Sequence, residues 1–274
     1  MMRLAALLLG FMLVAAAAEA QSFQGRALIV TDGRAANEAA PLVVMLHGLT
    51  GTGRIMQRKT TFDMLARAHG FVVAYPNGTG RRWQHRGDKA DVAYLSALID
   101  TLTATYGTDP QRVFLVGYSN GGAMALRMAC ENSARLRGIA VVAMTQPRNF
   151  DCADDRPVAT VFIHGGVDPV VPPTGLDATS RFEGLLPIDE TLAHWTDRNR
   201  CTARGNSQEF DQIDGADTAQ ITQYTGCKRP LTSVLLTGQG HDWPGAAPRL
   251  TWLLGPASRE LDAAAFSWRF FAAL

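Results

Sequence analysis

Ser119 stands between glycines in Gly117-Tyr118-Ser119-Asn120-Gly121-Gly122, directly after the apolar run 112–116 and before 123–130, which reads as a helix. A serine on a sharp strand-to-helix turn is the layout of a nucleophile elbow. The flanking glycines let strand and helix pass closely while the serine backbone is held strained. The N-terminus of the following helix then offers unpaired N–H groups and partial positive charge to a developing oxyanion. A serine hydroxyl is a poor nucleophile at neutral pH, so a base must take its proton as it attacks a carbonyl. The pattern is short enough to arise by chance, and its surroundings decide what it means.

Two further residues have types and positions that complete the chemistry. The apolar run 158–163 ends in His164-Gly165-Gly166-Val167-Asp168-Pro169, and the run 232–236 ends in Thr237-Gly238-Gln239-Gly240-His241. Asp168 and His241 therefore sit on glycine-rich loops past buried strands, in the order serine, acid, histidine. His241 would be the base, and Asp168 would fix its tautomer and stabilise the imidazolium. Asp155 and Asp177 are rival acids that follow a strand less directly. Asp168 could also be a simple turn residue before Pro169. Among the other histidines, His164 is expected to pack near the site, His69 and His194 fall in helices, and His85 lies in a basic loop with no evident partner.

Acyl transfer also needs donors for the oxyanion. The elbow supplies the backbone N–H of Asn120, and the loop His47-Gly48-Leu49-Thr50 after an early strand supplies a second, Leu49 ahead of Thr50. The glycines at 48–53 do not make a phosphate loop, because neither the following lysine nor the dinucleotide spacing is present. Trp83 and Trp243 are candidates for an aromatic wall beside the substrate, with ordinary packing as the alternative. No cofactor is called for. A zinc site is disfavoured because no C-x-x-C or paired-histidine spacing accompanies the cysteines.

The elements that must position these residues are legible as alternating runs. Strands are expected at 26–31, 41–46, 71–75, 112–116, 138–143, 158–163 and 232–236. Helices are expected at 60–68, 91–106, 123–130, 188–198 and 260–271, with a small polar hairpin at 208–224. Continuous apolar strands alternating with helices imply a mainly parallel sheet covered on both faces, an α/β fold in one domain spanning 21–274.

With 274 residues and 47% hydrophobic content, one large α/β domain has enough apolar side chains for a substantial core. The formal charge of +1 gives no electrostatic reason to expect nucleic acid or an anionic membrane as partner. Arg3 followed by the apolar run 4–17 and Ala18-Glu19-Ala20 reads as a signal peptide, residues 1–20, cleaved after Ala20. The apolar run is short for a membrane span, so a secreted protein without stable membrane insertion is expected, periplasmic or extracellular. Export favours disulfides among the four cysteines. Cys130–Cys152 and Cys201–Cys227 are the preferred pairs, since each closes a local excursion.

With these residues in view, the sequence resembles the secreted α/β-hydrolases that include polyhydroxybutyrate depolymerase-like esterases and feruloyl or acetylxylan esterases. The likeness rests on Leu46-His47-Gly48, Tyr75-Pro76-Asn77-Gly78, the elbow, His164-Gly165 before Asp168, and Gly240-His241 with Trp243-Pro244-Gly245. It implies an α/β-hydrolase fold and a serine carboxylic ester hydrolase using Ser119, Asp168 and His241. Its substrates would be small or oligomeric esters, of a polyester or of the plant cell wall. Relatives often carry cysteine or serine at the position of Leu49. Depolymerases that attack solid polymer carry linker and binding modules that this sequence does not show, which points toward soluble or short esters. A serine peptidase of the same fold and a non-catalytic binding module remain alternatives.

Overall fold

In a computed structural model, the structure describes residues 19–35, 39–148, 150, 152, 154–179, 184–211 and 217–274. The chain runs β1 (Glu19–Phe23), β2 (Arg26–Asp32), β3 (Leu42–Leu46), α1 (Gly53–Lys59), α2 (Phe62–His69), β4 (Val72–Pro76), α3 (Ala90–Tyr106), β5 (Val113–Tyr118) and α4 (Asn120–Glu131). It continues through β6 (Gly138–Val142), β7 (Ala159–Gly165), α5 (Ile188–Arg198), β8 (Ala203–Phe210), β9 (Ala219–Thr225), β10 (Leu231–Leu236), α6 (Thr251–Leu254) and α7 (Ala263–Ala272). These strands form a single sheet in the order β1-β2-β4-β3-β5-β6-β7-β10-β9-β8.

The strands from β4 to β10 in that order are parallel to their neighbours, and antiparallel pairs extend both edges. The parallel strands are buried on both faces, which explains why β3, β4 and β6 read as unbroken apolar runs. Side chains alternate between two cores. Leu42, Val44 and Leu46 of β3 pack with α3 and α4 residues such as Leu95, Leu98 and Met124. Val43 and Met45 pack on the opposite face with Met56, Phe62, Trp268 and Phe271 of α1, α2 and α7.

Close approach is what places the elbow at the carboxyl edge of this sheet. A Cβ on Gly121 would meet Leu46 O at 2.5 Å and His47 O at 2.7 Å, and one on Gly117 would collide with Gly121 O. Only hydrogens at these two positions let α4 start hard against β3 and β5.

The strands and long helices lie where the sequence leads one to expect them; the edges differ. The fold begins before Arg26, with β1 joined to β2 through Gln24 (φ 48°) and Gly25 (φ 74°), a two-residue hairpin. The expected cleavage after Ala20 falls inside β1, and residues 1–18 lie outside the described residues. Helix α1 was hidden because Gly53–Lys59 offers only two large apolar residues, and Thr52 starts it by accepting the Ile55 N–H at 3.2 Å. The polar hairpin is longer than expected, and β9 pairs with β10, so it belongs to the main sheet. Both disulfides, Cys130–Cys152 and Cys201–Cys227, are formed as paired above. Among the described residues no helix is long and apolar enough to cross a membrane.

Gly121→Ala should cost ~1–3 kcal/mol by overpacking backbone against backbone, which lowers the melting temperature by about 2–12 °C for a domain of this size. A scanning calorimetry trace unchanged from the parent would show that α4 can move away without penalty.

Candidate active site

Ser119 links β5 to α4 with φ 53° and ψ −119°, a backbone conformation that L residues other than glycine avoid. Strand pairing and the helix hold it there: its N–H donates to Val142 O at 2.9 Å, and Ala123 N–H donates to its carbonyl at 3.1 Å. The Ser119 side chain does not cap α4, so its hydroxyl is left for another partner.

That partner is His241. Ser119 Oγ lies 2.9 Å from His241 Nε2, and His241 Nδ1 lies 2.7 Å from Asp168 Oδ2. The carboxylate fixes the tautomer: Nδ1–H donates to Asp168, which leaves Nε2 as acceptor for the serine hydroxyl. The other carboxylate oxygen, Oδ1, accepts from the backbone N–H groups of Val170 and Val171, both at 2.8 Å. Asp168 and His241 are nearly excluded from solvent, 3% and 4% exposed. The rival acids are elsewhere: Asp155 is exposed beside Arg200, and Asp177 is exposed. Sequence reasoning thus named all three members of this hydrogen-bonded line.

The loop after β3 lies against the serine, since a Cβ on Gly48 would sit 3.3 Å from Ser119 Cβ. Thr50 N–H is committed to Arg81 O at 2.8 Å, whereas the N–H groups of Leu49 and Asn120 donate to no acceptor among the described residues. The two donors expected from sequence are therefore the two left unpaired, and Thr50 is removed as an alternative.

Trp83 and Trp243 do not form the expected aromatic wall. Each is 1% exposed, because each indole fills a gap behind the site instead of lining it. Trp83 Nε1 donates to His47 O at 3.1 Å, and its backbone is clamped by the Asn120 side chain, Trp83 N–H to Oδ1 at 2.6 Å and Nδ2 to Trp83 O at 3.0 Å. Trp243 packs edge-on against Phe62 and Tyr118. Exposed apolar side chains lie on the loops that carry Leu49 and Asp168, namely Leu49, Val167 and Val170, and further ones, Leu250, Trp252 and Leu253, at and within α6.

A layer of polar side chains, of which the sequence placed only His164 near the site, holds the loops in place. His47 Nδ1 donates to Gly48 O at 2.7 Å and Nε2 accepts from Gly78 N–H at 2.9 Å. Burial pushes the His47 imidazole below its usual pKa, so it stays a neutral strut. His164 is fully buried and donates from Nε2 to Val171 O at 3.0 Å, tying down the acid loop. Tyr118 Oη donates to His241 O at 2.6 Å, and burial raises the phenol well above its ordinary pKa. Gln239 donates from Nε2 to Gly240 O and Asp242 O and accepts Ser258 N–H at Oε1. Asp242, buried next to the histidine, pairs with Lys59 and accepts Trp243 N–H. Only the His47 and His164 positions carried a signal, each being a histidine before glycine at a strand end. His69 packs at a tilt against Trp268, ring centroids 5.8 Å apart, and His194 lies 3.8 Å from Cys152 Sγ.

Taken as chemistry, the arrangement offers a hydroxyl on a strained turn, an imidazole placed to accept its proton, a carboxylate to steady the resulting cation, and two main-chain donors nearby.

Residues 43–273 match the alpha/beta hydrolase family. A protein named as the esterase NocK, from Nocardia uniformis subsp. tsuyamanensis, is 30% identical over 249 residues, 83% of this chain and 72% of the relative. Feruloyl esterase C of Emericella nidulans is 28% identical over 198 residues, 70% of this chain and 67% of the relative. Among solved structures, the acetyl xylan esterase from Aspergillus awamori aligns with a TM-score of 0.63 at 16% identity, covering 91% of this chain and 94% of the other. The Bacillus cereus carboxylesterase aligns at 0.56 with 14% identity, covering 91% and 95%. At such identities the two structures speak for the fold.

His85 carries the clearest pH signature near the elbow. Its Nδ1 lies 3.1 Å from Asn120 Nδ2, and burial, with Arg86, Arg127 and Arg82 nearby, pushes its pKa down to about 4. The unfolded chain takes up this proton at about pH 6.5, before the folded one does, so stability is full above that value and is lost as the pH falls toward 4. The melting temperature should decline over that window, and His85→Gln should flatten part of the decline. An identical pH dependence in the variant would contradict a half-buried neutral imidazole at 85.

Proposed function

Starting from a chain that belongs to the alpha/beta hydrolase family, we propose that this protein is a secreted serine carboxylic ester hydrolase working through a covalent acyl-enzyme. The observation that carries the proposal is the unbroken line from Ser119 Oγ to His241 at 2.9 Å and on to Asp168 at 2.7 Å. Relatives named as esterases across most of the chain support the same chemistry.

In this mechanism Ser119 Oγ attacks the ester carbonyl while His241 Nε2 takes the hydroxyl proton. Negative charge collects on the carbonyl oxygen, where the N–H groups of Leu49 and Asn120 are free to receive it; one such donor is worth ~3–4 kcal/mol. The tetrahedral centre collapses, the C–O bond to the alcohol breaks, and His241 passes its proton to the departing oxygen. Water then repeats the sequence on the acyl-serine and releases the acid. Asp168 keeps the imidazole oriented and stabilises its cationic form through both halves.

Secretion is supported by the positive, apolar and A-x-A segments at the N-terminus and by two disulfides, which persist in oxidising compartments. The substrates proposed are small or oligomeric esters of polyester or plant cell-wall type, attacked by one catalytic domain spanning 21–274.

Ser119→Ala should lower kcat/KM for short nitrophenyl acyl esters by at least about 10⁴-fold while leaving the melting temperature near that of the parent. Turnover retained in the folded variant would eliminate Ser119 as nucleophile. A parallel panel of methyl ferulate, acetylated xylan and hydroxybutyrate oligomers reads out the acyl and alcohol preference.

A further inference from the structure

A small recess of about 240 Å³ opens between α1 and the loop that follows His241, lined by Arg54, Arg58, Lys59, Ala246 and Arg249 among others. Both walls continue, along the chain, from loops that carry residues of the site. Helix α1 follows the Leu49 loop directly, and residues 246–249 follow the histidine within a few positions. Lys59 joins the two walls: its ammonium lies 5.6 Å from the Tyr118 ring and pairs with Asp242.

The charge balance of the recess is one-sided. Asp242, the acid bonded to two of the lining residues, is 1% exposed and engaged by Lys59 and by the N–H groups of Trp243 and Arg249. Arg54, Arg58 and Arg249 are exposed and have no carboxylate partner among the described residues. Arg54 and Arg58 are one turn apart on α1, where like charges repel by a few tenths of a kcal/mol. Arg54 also lies in the first turn, the end of a helix where positive charge is disfavoured. Three guanidinium groups around one cavity, with no carboxylate partner among the described residues, are suited to a carboxylate, which guanidinium binds in a bidentate fork.

We propose that this recess binds a carboxylate carried by the substrate, so that the preferred substrates are esters of a dicarboxylic acid or of a hydroxy or phenolic acid with a free acid group. The proposal rests on the ester-hydrolase mechanism above and adds a substrate class to it. The proposal covers a carboxylate on either the acyl or the alcohol side of the scissile bond.

The test uses two matched pairs. On the acyl side, nitrophenyl hydrogen glutarate is compared with nitrophenyl pentanoate; on the alcohol side, carboxymethylphenyl acetate is compared with ethylphenyl acetate. In at least one pair the acid-to-neutral ratio of kcat/KM should exceed unity by about 10-fold, as one charge-assisted contact gives. Arg58→Gln and Arg249→Gln should each reduce that ratio several-fold, and Arg249→Glu should reduce it further. Raising NaCl from about 20 to about 500 mM should shrink it through screening. Arg135→Gln, at the opposite end of the sheet beside Asp100, should leave the ratio alone. Ratios near unity in both pairs, or an equal loss in the Arg135 variant, overturn the proposal while neutral-ester turnover keeps the hydrolase mechanism intact. Absence of turnover on every ester in the folded wild type would instead defeat the mechanism itself.

Discussion

One imidazole ring has to be hydrogen-bonded on opposite edges at once, to a hydroxyl at 2.9 Å and a carboxylate at 2.7 Å. Those three side chains come from loops after β5, β7 and β10, which the parallel sheet holds in fixed register. A displacement of even about 1 Å in one loop would disturb both bonds, because proximity effects depend steeply on geometry. Most of the polar design around the site serves to prevent such a displacement. His164 restrains the acid loop, Tyr118 and Gln239 restrain the histidine loop, and His47 restrains the loop carrying Leu49.

These restraints share one physical feature. They are side chains buried among strand ends, where an unpaired donor or acceptor would cost about 1–3 kcal/mol, so satisfied bonds make the surrounding loops rigid. His47 and His85 are kept neutral by burial. Asp242, buried beside His241, pairs with Lys59, and the neighbouring arginines have no carboxylate partner among the described residues. The same economy of charge that stabilises the histidine loop also produces the basic recess next to it.

How much of this could be read from the sequence depends on what each residue's surroundings impose locally. The parallel strands were legible because burial on both faces demands unbroken apolar runs, as in Leu42–Leu46 and Val72–Pro76. Ser119, Asp168 and His241 were legible because strained turns and strand-end loops need glycines beside them. The cysteine pairing followed from short spacing. Strand β1 was not legible, since an edge strand with one neighbour has no apolar requirement. Trp83 and Trp243 were misjudged because an indole near a catalytic residue looks the same in sequence whether it lines a cleft or fills the space behind it. The side-chain bonds of Asn120 and Lys59 join positions 37 and 183 residues apart, which no local pattern records.

The central claim is that the 119 hydroxyl is activated by the 241 imidazole, and covalent trapping tests it most directly. A fluorophosphonate incubated with the folded protein should add once, on the peptide containing Ser119, and His241→Gln should slow the addition by orders of magnitude with the fold unchanged. Modification at a different serine, or an equal rate without the imidazole, would contradict the account.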